Sequence, residues 1–498
     1  MTKFGMAQPV RRVEDPRLLI GGGRYTDDIT LANEAFGIVL RSPHAAARIL
    51  SIDTAAAAGF EGVLGIYTGK DLAADGIGSL PCVIPLKNRD GSGRAEVPHP
   101  VLADGEVRHV GDPVAFIVAT THQAARDAAE AVVIDYDVLP SITDLGATLD
   151  KDAPVVWPQA AGNVCFDWET GDKARTEALF ARAAHVTRLT VVNNRIVASS
   201  MEARAAVADY DAATGRWTLY TNTQGGWTIK SMLAQAIFKV PEDQFRIVTP
   251  DVGGGFGMKL FLYAEHALTC YAARRLGRPV RWISERSEAF LSDTHGRDNI
   301  TQGEIALDKD GRFLAMRTRN VANMGAYLSN FAPFIPTMAG TKVLASVYNF
   351  QAIYANVVGV FTHTVPVDAY RGAGRPESNY VVERLIDAAA AEVGIDRVEI
   401  RRRNMVKPGA MPYVTAMNQT YDSGDFEKVL DAALEKIDWA GFEARRASSA
   451  RRGLKRGIGM SYYLEATGGG PTERAEIRFA EDGFVDVFGG DAEHRPRA

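Results

Sequence analysis

The segment richest in chemical potential is DVGGGFGMK, Asp251 to Lys259, where Gly253, Gly254 and Gly255 run consecutively and Gly257 follows one residue later. Glycine at this density lets a backbone turn tightly and removes the Cβ atoms that would hold a bulky polyanion at a distance. Amides in the turn, and at the start of a following helix, can then hold oxygens of a phosphate or oxo group. The pattern is not a P-loop, since no Gly-Lys-Ser/Thr follows, and Met258 at the sixth position breaks GxGxxG. A second glycine loop, AYRGAGRPES from Ala369 to Ser378, also leads into a helix, with Pro376 suited to its first position. Arg371 and Arg375 bracket Gly372 and Gly374 there, so cationic side chains accompany a backbone that a ligand can approach closely. The bland alternative is a surface loop with solvated arginines. Gln224, in TNTQGGW, offers a donor and an acceptor on one amide.

Other chemistries lack their residues. The nine histidines form no HExxH and no close pair, which excludes the usual zinc patterns, and no GxSxG supplies a hydrolase elbow. Cys82, Cys165 and Cys270 lie 83 and 105 positions apart, so this chain alone ligates no iron–sulfur cluster. A sparse, odd cysteine count suits a reducing compartment, where such residues behave as small hydrophobes. Glu202, Glu288 and Glu465 are possible acids or bases, but no sequence pattern pairs them, and structural roles are favoured. The run Arg401–Arg402–Arg403 reads as a solvated helix end or a salt-bridged face.

The elements that must position these loops follow from period and punctuation. Apolar runs at 35–40, 62–67 and 113–119 have strand length and composition. Thr120 and Gln123 have capping-box spacing ahead of an Ala-rich helix, and AVVIDYDVLP gives another strand after it. Residues 87–100 read as an exposed loop. WTLYTN and FRIVTP read as the strands that deliver Gln224 and the first glycine loop, and 312–328 as strand followed by loop. Residues 261–276 have helical spacing closed by Gly277 and Pro279. A helix after Pro376 should end at Gly394, another should lie near 425–438, and a strand pair is expected at 474–488.

Composition agrees with a multidomain globular chain. Its 498 residues exceed one compact core, with 46% hydrophobic and 23% charged residues. A net charge of -5 argues against a general nucleic-acid binder, which needs a basic face. No apolar stretch is long enough to span a bilayer and the N-terminus has no export-type apolar region, so the cytoplasm is the expected location.

Together these segments resemble the large, molybdopterin-binding subunits of the molybdenum hydroxylases: xanthine dehydrogenase, aldehyde oxidoreductase and aerobic carbon monoxide dehydrogenase. RRVEDPRLLIGGGRYTDDI, RSPHAAARI and GDPVAFIVA look like the family's N-terminal α/β hammerhead domain. TNTQ, VGGGFGMK, NMGAYLS and AYRGAGRPE look like the first half of its cofactor domain. The resemblance implies an α+β fold: a hammerhead domain over 1–140, a connector over 141–160, the first part of a mixed α/β molybdopterin-binding domain over 161–410, and an incomplete second part over 411–498. By position it implies that Gln224, Gly254, Gly255, Phe256, Gly257, Arg371 and Gly372 bind the molybdenum–molybdopterin cofactor, possible in its cytosine dinucleotide form, with no side chain ligating the metal directly. The chemistry implied is hydroxylation of an aldehyde or N-heteroaromatic carbon, with water as oxygen source and a carboxylate as general base. Electrons would pass to a small Fe–S subunit and a medium FAD subunit, in a dimer of heterotrimers.

Departures narrow the implied substrate. Copper-containing carbon monoxide dehydrogenases have a cysteine directly after the loop arginine, where this chain has Gly372, so carbon monoxide oxidation is disfavoured. Xanthine-oxidising relatives have a glutamate after the VGGGFGxK lysine and an aromatic two residues past the loop arginine. Leu260 and Ala373 stand at those positions, so an apolar pocket of Leu260, Tyr370 and Ala373 is expected instead. Relatives continue into a Gln-Gly-x-Gly loop and a late Gly-Glu motif that supplies the base, and neither occurs before the terminal EHRPRA. The catalytic base is therefore expected to be missing, as in a truncated product, a frameshift or half of a split subunit. A non-catalytic fragment that binds a partner is the alternative, and the chain alone is expected to hold little molybdenum and turn nothing over.

Overall fold

The sequence PVAFIVA from Pro113 to Ala119 is apolar on both faces of a strand, and all seven residues are buried. A strand with no polar face must sit inside a sheet that is covered on both sides. It pairs antiparallel with Ala35–Arg41 on one edge and with Val63–Thr68 on the other, and Phe116 faces both Val39 and Tyr67. The computed structural model, which describes residues 11–466, 475–479 and 483–489, extends this trio into a seven-stranded sheet. Its order is Phe245–Val248, Arg216–Thr221, Ala205–Asp211, Val280–Ile283, Ala35–Arg41, Pro113–Ala119 and Val63–Thr68. The join is parallel, with Ala35 opposite Val280. One sheet thus takes three strands from before residue 140 and four from after it. The helix Ala264–Leu276 covers it, and Leu268 and Tyr271 share a core with Phe116, Trp217 and Trp282.

A smaller sheet, ordered Glu106–Val107, Ala47–Asp53 and Val133–Val138, completes the N-terminal region. The helix between strands there runs His122–Glu130, and its cap is Thr121, whose hydroxyl accepts from the Ala124 amide at 3.1 Å. The expected Thr120 is still held by the sheet, donating its amide to the Gly62 carbonyl at 2.8 Å. The connector packs tightly: Trp157 is buried and its indole donates to the Ala326 carbonyl at 2.6 Å.

The second large sheet has five strands, ordered Val164–Gly171, Ala352–Phe361, Phe313–Gly325, Asn299–Leu307 and His185–Asn193. The helix Arg375–Val393 lies across it, burying Val381, Leu385, Ile386 and Ala389 against Ile305 and Ile353. Pro376 stands within the first turn and Gly394 ends the helix in the left-handed region at φ +69. The arginine run is not a solvated end. Arg401 has 0% side-chain exposure and pairs with Glu383 at 2.8 Å and Asp387 at 2.9 Å. The helix Phe426–Lys436 follows, capped by Asp425, and the strands Ala475–Phe479 and Val485–Gly489 form the expected pair. No helix among the described residues is long and apolar enough to cross a membrane.

Candidate functional site

The strand Phe245–Val248 delivers the first glycine loop at the edge of the seven-stranded sheet. Asp251 is fastened by both guanidinium nitrogens of Arg17, at 2.6 and 2.8 Å, and by the Arg24 amide at 2.8 Å. Two residues later the Gly253 amide donates to Glu202 Oε2 at 2.7 Å, while the Gly253 carbonyl accepts from the Glu202 amide at 3.1 Å. Gly254, Phe256 and Gly257 all have positive φ, at +93, +56 and +97. For Phe256 this is a strained conformation that its surroundings must impose. The amides of Gly254, Gly255 and Phe256 have no acceptor among the described residues. Three consecutive open amides in a turn that alternates the sign of φ form a concavity suited to anionic oxygen.

Gln224 closes this turn from the neighbouring strand. Its side-chain oxygen accepts from the Gly257 amide at 2.7 Å, and the NH2 group of the same amide has no acceptor among the described residues. A Cβ on Gly255 would stand 2.5 Å from that oxygen, so glycine is required for the approach. The Gln224 amide and the Thr223 hydroxyl both donate to the Lys259 carbonyl, at 2.9 and 3.0 Å. The helix expected directly after the loop begins later, at Ala264, because Met258–Leu260 forms a short 3-10 turn and Phe261 is extended. The open amides therefore belong to the turn itself and not to a helix N-terminus.

The second glycine loop meets the first. The Arg371 amide donates to the Phe256 carbonyl at 2.9 Å, and a Cβ on Gly257 would stand 2.6 Å from the Ala369 carbonyl oxygen. Arg297 ties the second loop from behind, donating to the carbonyls of Tyr370 at 3.0 Å and Arg371 at 2.7 Å, and pairing with Glu377 at 3.1 Å. Asp368 anchors the entry, accepting from the amides of Phe331 at 2.8 Å and Ala369 at 2.7 Å. Burial raises its carboxyl to about 7, against the pull of hydrogen bonds from Ser329, Phe331 and Ala369. The Arg371 guanidinium is exposed and makes no ion pair among the described residues, whereas Arg375 binds Glu465 at 2.9 Å. Gly372, at φ +90, presses on Pro376, where a Cβ would stand 2.4 Å from Cγ.

Of the three residues expected to form an apolar pocket, Leu260 and Ala373 pack on one cluster with Met258, Phe261, Ile335 and Ala369. The Tyr370 ring lies apart, over Gly296 and 5.0 Å from the Arg297 guanidinium. All three carboxylates left unpaired by sequence reasoning have partners: Glu202 with Lys259 at 2.9 Å, Glu288 with Arg41 at 2.7 Å, and Glu465 with Arg375. Burial holds the Lys259 ammonium below the usual lysine range, with Glu202 opposing the shift. Lys259 and Arg297 are the residues that sequence reasoning passed over. A lone lysine inside the apolar run MKLFLY was the available signal for the first, and HGRDN carried none for the second. The cysteines stand as expected: all three are free thiols, with Cys165 and Cys270 buried.

Residues 156–405 match the model of the molybdopterin cofactor-binding domain, and residues 20–140 match that of the aldehyde oxidase and xanthine dehydrogenase a/b hammerhead domain. The carbon monoxide dehydrogenase large chain of Hydrogenophaga pseudoflava is 32% identical over 490 residues, covering 95% of this chain and 60% of the relative. The nicotine 6-hydroxylase large subunit of Paenarthrobacter nicotinovorans is 30% identical over 489 residues, covering 98% and 58%. The chain thus spans 60% and 58% of these two relatives' own length. Among solved structures, quinoline 2-oxidoreductase from Pseudomonas putida 86 superposes with a TM-score of 0.89 at 35% identity, covering 97% of this chain and 62% of that one. Sequences that match both domain types in order, carrying two glycine turns joined backbone to backbone, place this chain in the aldehyde oxidase and xanthine dehydrogenase family, as a molybdopterin-binding large subunit.

Proposed function

We propose that this chain is the molybdopterin-binding component of a hydroxylase acting on an aldehyde or N-heteroaromatic carbon, with residues 161–410 holding the cofactor beside a hammerhead domain over 1–140. The observation that carries the reading is the 2.9 Å bond from the Arg371 amide to the Phe256 carbonyl, which brings both glycine loops to one place. When bound, molybdenum–molybdopterin supplies a two-electron oxidation in which the oxygen comes from water. The residues present fit such a group. Gly254, Gly255 and Phe256 offer open amides to anionic oxygen, Gln224 offers its NH2 group, and the Arg371 guanidinium, exposed and without an ion pair among the described residues, can face negative charge. Gly257 allows the loops to approach where a side chain would collide with the Ala369 carbonyl, and Gly372 lets the second loop fold against Pro376. Leu260 and Ala373 supply apolar lining suited to a carbonyl or heteroaromatic substrate.

The protein's part is to orient and desolvate. Its fixed amides need no reorganisation when charge develops, which is where a preorganised site gains most over water. The carboxylates beside the loops are engaged elsewhere: Glu202 by Gly253 and Lys259, Glu465 by Arg375. A cysteine at Gly372 would be strained at φ +90 and would collide with Pro376, which argues against a copper-bearing loop and carbon monoxide oxidation. The reading extends to the cytosine dinucleotide form of the pterin, to small Fe–S and medium FAD subunits as electron acceptors, to a dimer of heterotrimers and to the cytoplasm.

The test is production in a host that makes the cofactor, together with Fe–S and FAD subunits. Near-stoichiometric molybdenum and pterin are expected, with dye reduction by an aldehyde or a quinoline-type substrate and uptake of oxygen-18 from labelled water once a segment carrying the late Gly-Glu motif is supplied in trans. A folded complex devoid of molybdenum and pterin would overturn the reading.

A further inference from the structure

Glu202 grips Gly253 in three ways. Its amide donates to the Gly253 carbonyl at 3.1 Å, its carboxylate accepts from the Gly253 amide at 2.7 Å, and its Cβ lies 2.4 Å from where a Cβ on Gly253 would stand. The segment carrying Glu202 is itself held, since the Arg286 guanidinium donates to the Ser200 carbonyl at 2.6 Å and the Met201 carbonyl at 3.0 Å. Lys259, with 0% side-chain exposure, donates to the same Glu202 oxygen at 2.9 Å. The Lys259 carbonyl receives the Gln224 amide and the Thr223 hydroxyl. This lysine therefore ties together three chain segments, 200–204, 223–225 and 251–257, through its ammonium and its carbonyl.

A buried ion pair is a poor device for stability alone, because its desolvation cancels much of its attraction and an apolar pair of similar size does as well. This pair is not even complete, since Glu202 Oε1 is buried with no hydrogen-bond partner among the described residues. What it does achieve is local. Taking the Gly253 amide into the carboxylate fixes the turn at its first residue, and the next three amides are left unpaired together.

We propose that Glu202 and Lys259 are positioning residues of the glycine turn, holding the Gly254, Gly255 and Phe256 amides in their convergent arrangement before any anionic ligand arrives. The proposal rests on the cofactor reading above for the identity of that ligand, but the clamp itself is a property of the unloaded chain. Glu202→Gln is nearly isosteric, Lys259→Met removes the ammonium, and Lys259→Arg keeps a charge. In full-length chain made without cofactor, hydrogen exchange followed by mass spectrometry should show peptides spanning 251–259 exchanging at least tenfold faster in Glu202→Gln and Lys259→Met. Peptides from Pro113–Ala119 and Ala264–Leu276 should be unchanged, and Lys259→Arg should restore protection to within threefold of wild type. In complex loaded with molybdenum and pterin, Glu202→Gln should lower kcat per molybdenum at least tenfold with KM within twofold. Wild-type exchange over 251–259 in both damaging variants overturns the proposal, and so does acceleration spread evenly over all peptides, which marks general destabilisation. A wild-type complex without molybdenum defeats the cofactor reading, while the exchange result still decides the clamp.

Discussion

Gly257→Ala tests the meeting of the two loops most directly. Gly257 has φ +97 and ψ -36, outside the left-handed region that other residues visit, so alanine there carries roughly 1–3 kcal/mol of backbone strain. Its methyl group would also stand 2.6 Å from the Ala369 carbonyl oxygen, well inside contact distance, adding about 1–3 kcal/mol of overpacking. The sum is about 2–6 kcal/mol. Gly277→Ala is the matched control, because Gly277 also has positive φ, at +60, but nothing lies within 4 Å of its added Cβ. Strain alone applies there, roughly 1 kcal/mol. Urea unfolding followed by tryptophan fluorescence gives both losses. Hydrogen exchange at Arg371 shows whether the loops have parted, since its amide is held by the Phe256 carbonyl. Equal losses in the two variants, with Arg371 still protected, would refute the idea that the loops are in contact at Gly257.

Three further outcomes follow from the same coordinates. Arg204→Met should cost about 3–5 kcal/mol in denaturant unfolding, because it takes from the buried Asp293 the arginine that holds it at 2.6 Å and leaves the buried Glu265, held at 2.7 Å, with Arg41 alone. Asp368→Asn should flatten the pH dependence of stability. A carboxyl raised to about 7 contributes fully below the ordinary value near 4, and that contribution is lost as pH climbs through 7, by up to about 4 kcal/mol between pH 4 and 8. Thermal or urea unfolding across that range should therefore fall more steeply in wild type than in the variant. Gly372→Cys should destabilise by about 2–5 kcal/mol through strain and collision with Pro376, and should confer no carbon monoxide-dependent dye reduction on a loaded, copper-supplied complex.

Legibility in the sequence tracked how local each feature's cause is. PVAFIVA declares a central strand because no polar residue interrupts it, and Gly277 and Gly394 declare helix ends because a left-handed residue after apolar spacing has few other uses. Both glycine loops were visible from their own composition, and so was Gln224. What no local pattern states is which distant strands share a sheet. The parallel pairing of Ala35 with Val280 depends on the whole topology, and no pattern within residues 1–140 announces it. Thr120 reads as the cap because a capping box is a spacing rule, and the rule is blind to the bond that keeps Thr120 in the sheet and leaves the cap to Thr121. The sequence leaves Arg401 between a solvated end and a salt-bridged face for a similar reason: its partners Glu383 and Asp387 lie on another helix, and only tertiary packing decides for the salt bridges. The same holds for Lys259 and Glu202, 57 positions apart, whose functions become visible only as a pair.

The parallel join in the seven-stranded sheet also bears on how the polypeptide is made. When Ala35–Arg41 leaves the ribosome, its future neighbour Val280–Ile283 is still some 240 codons from synthesis. At translation speeds of roughly 5–20 residues per second, that edge stays open for about 10–50 seconds. For that interval a nascent chain presents a half-finished sheet to every other polypeptide nearby. Slowing elongation between those two strands should therefore increase aggregation, and a holding chaperone should have its strongest effect on chains arrested before residue 280.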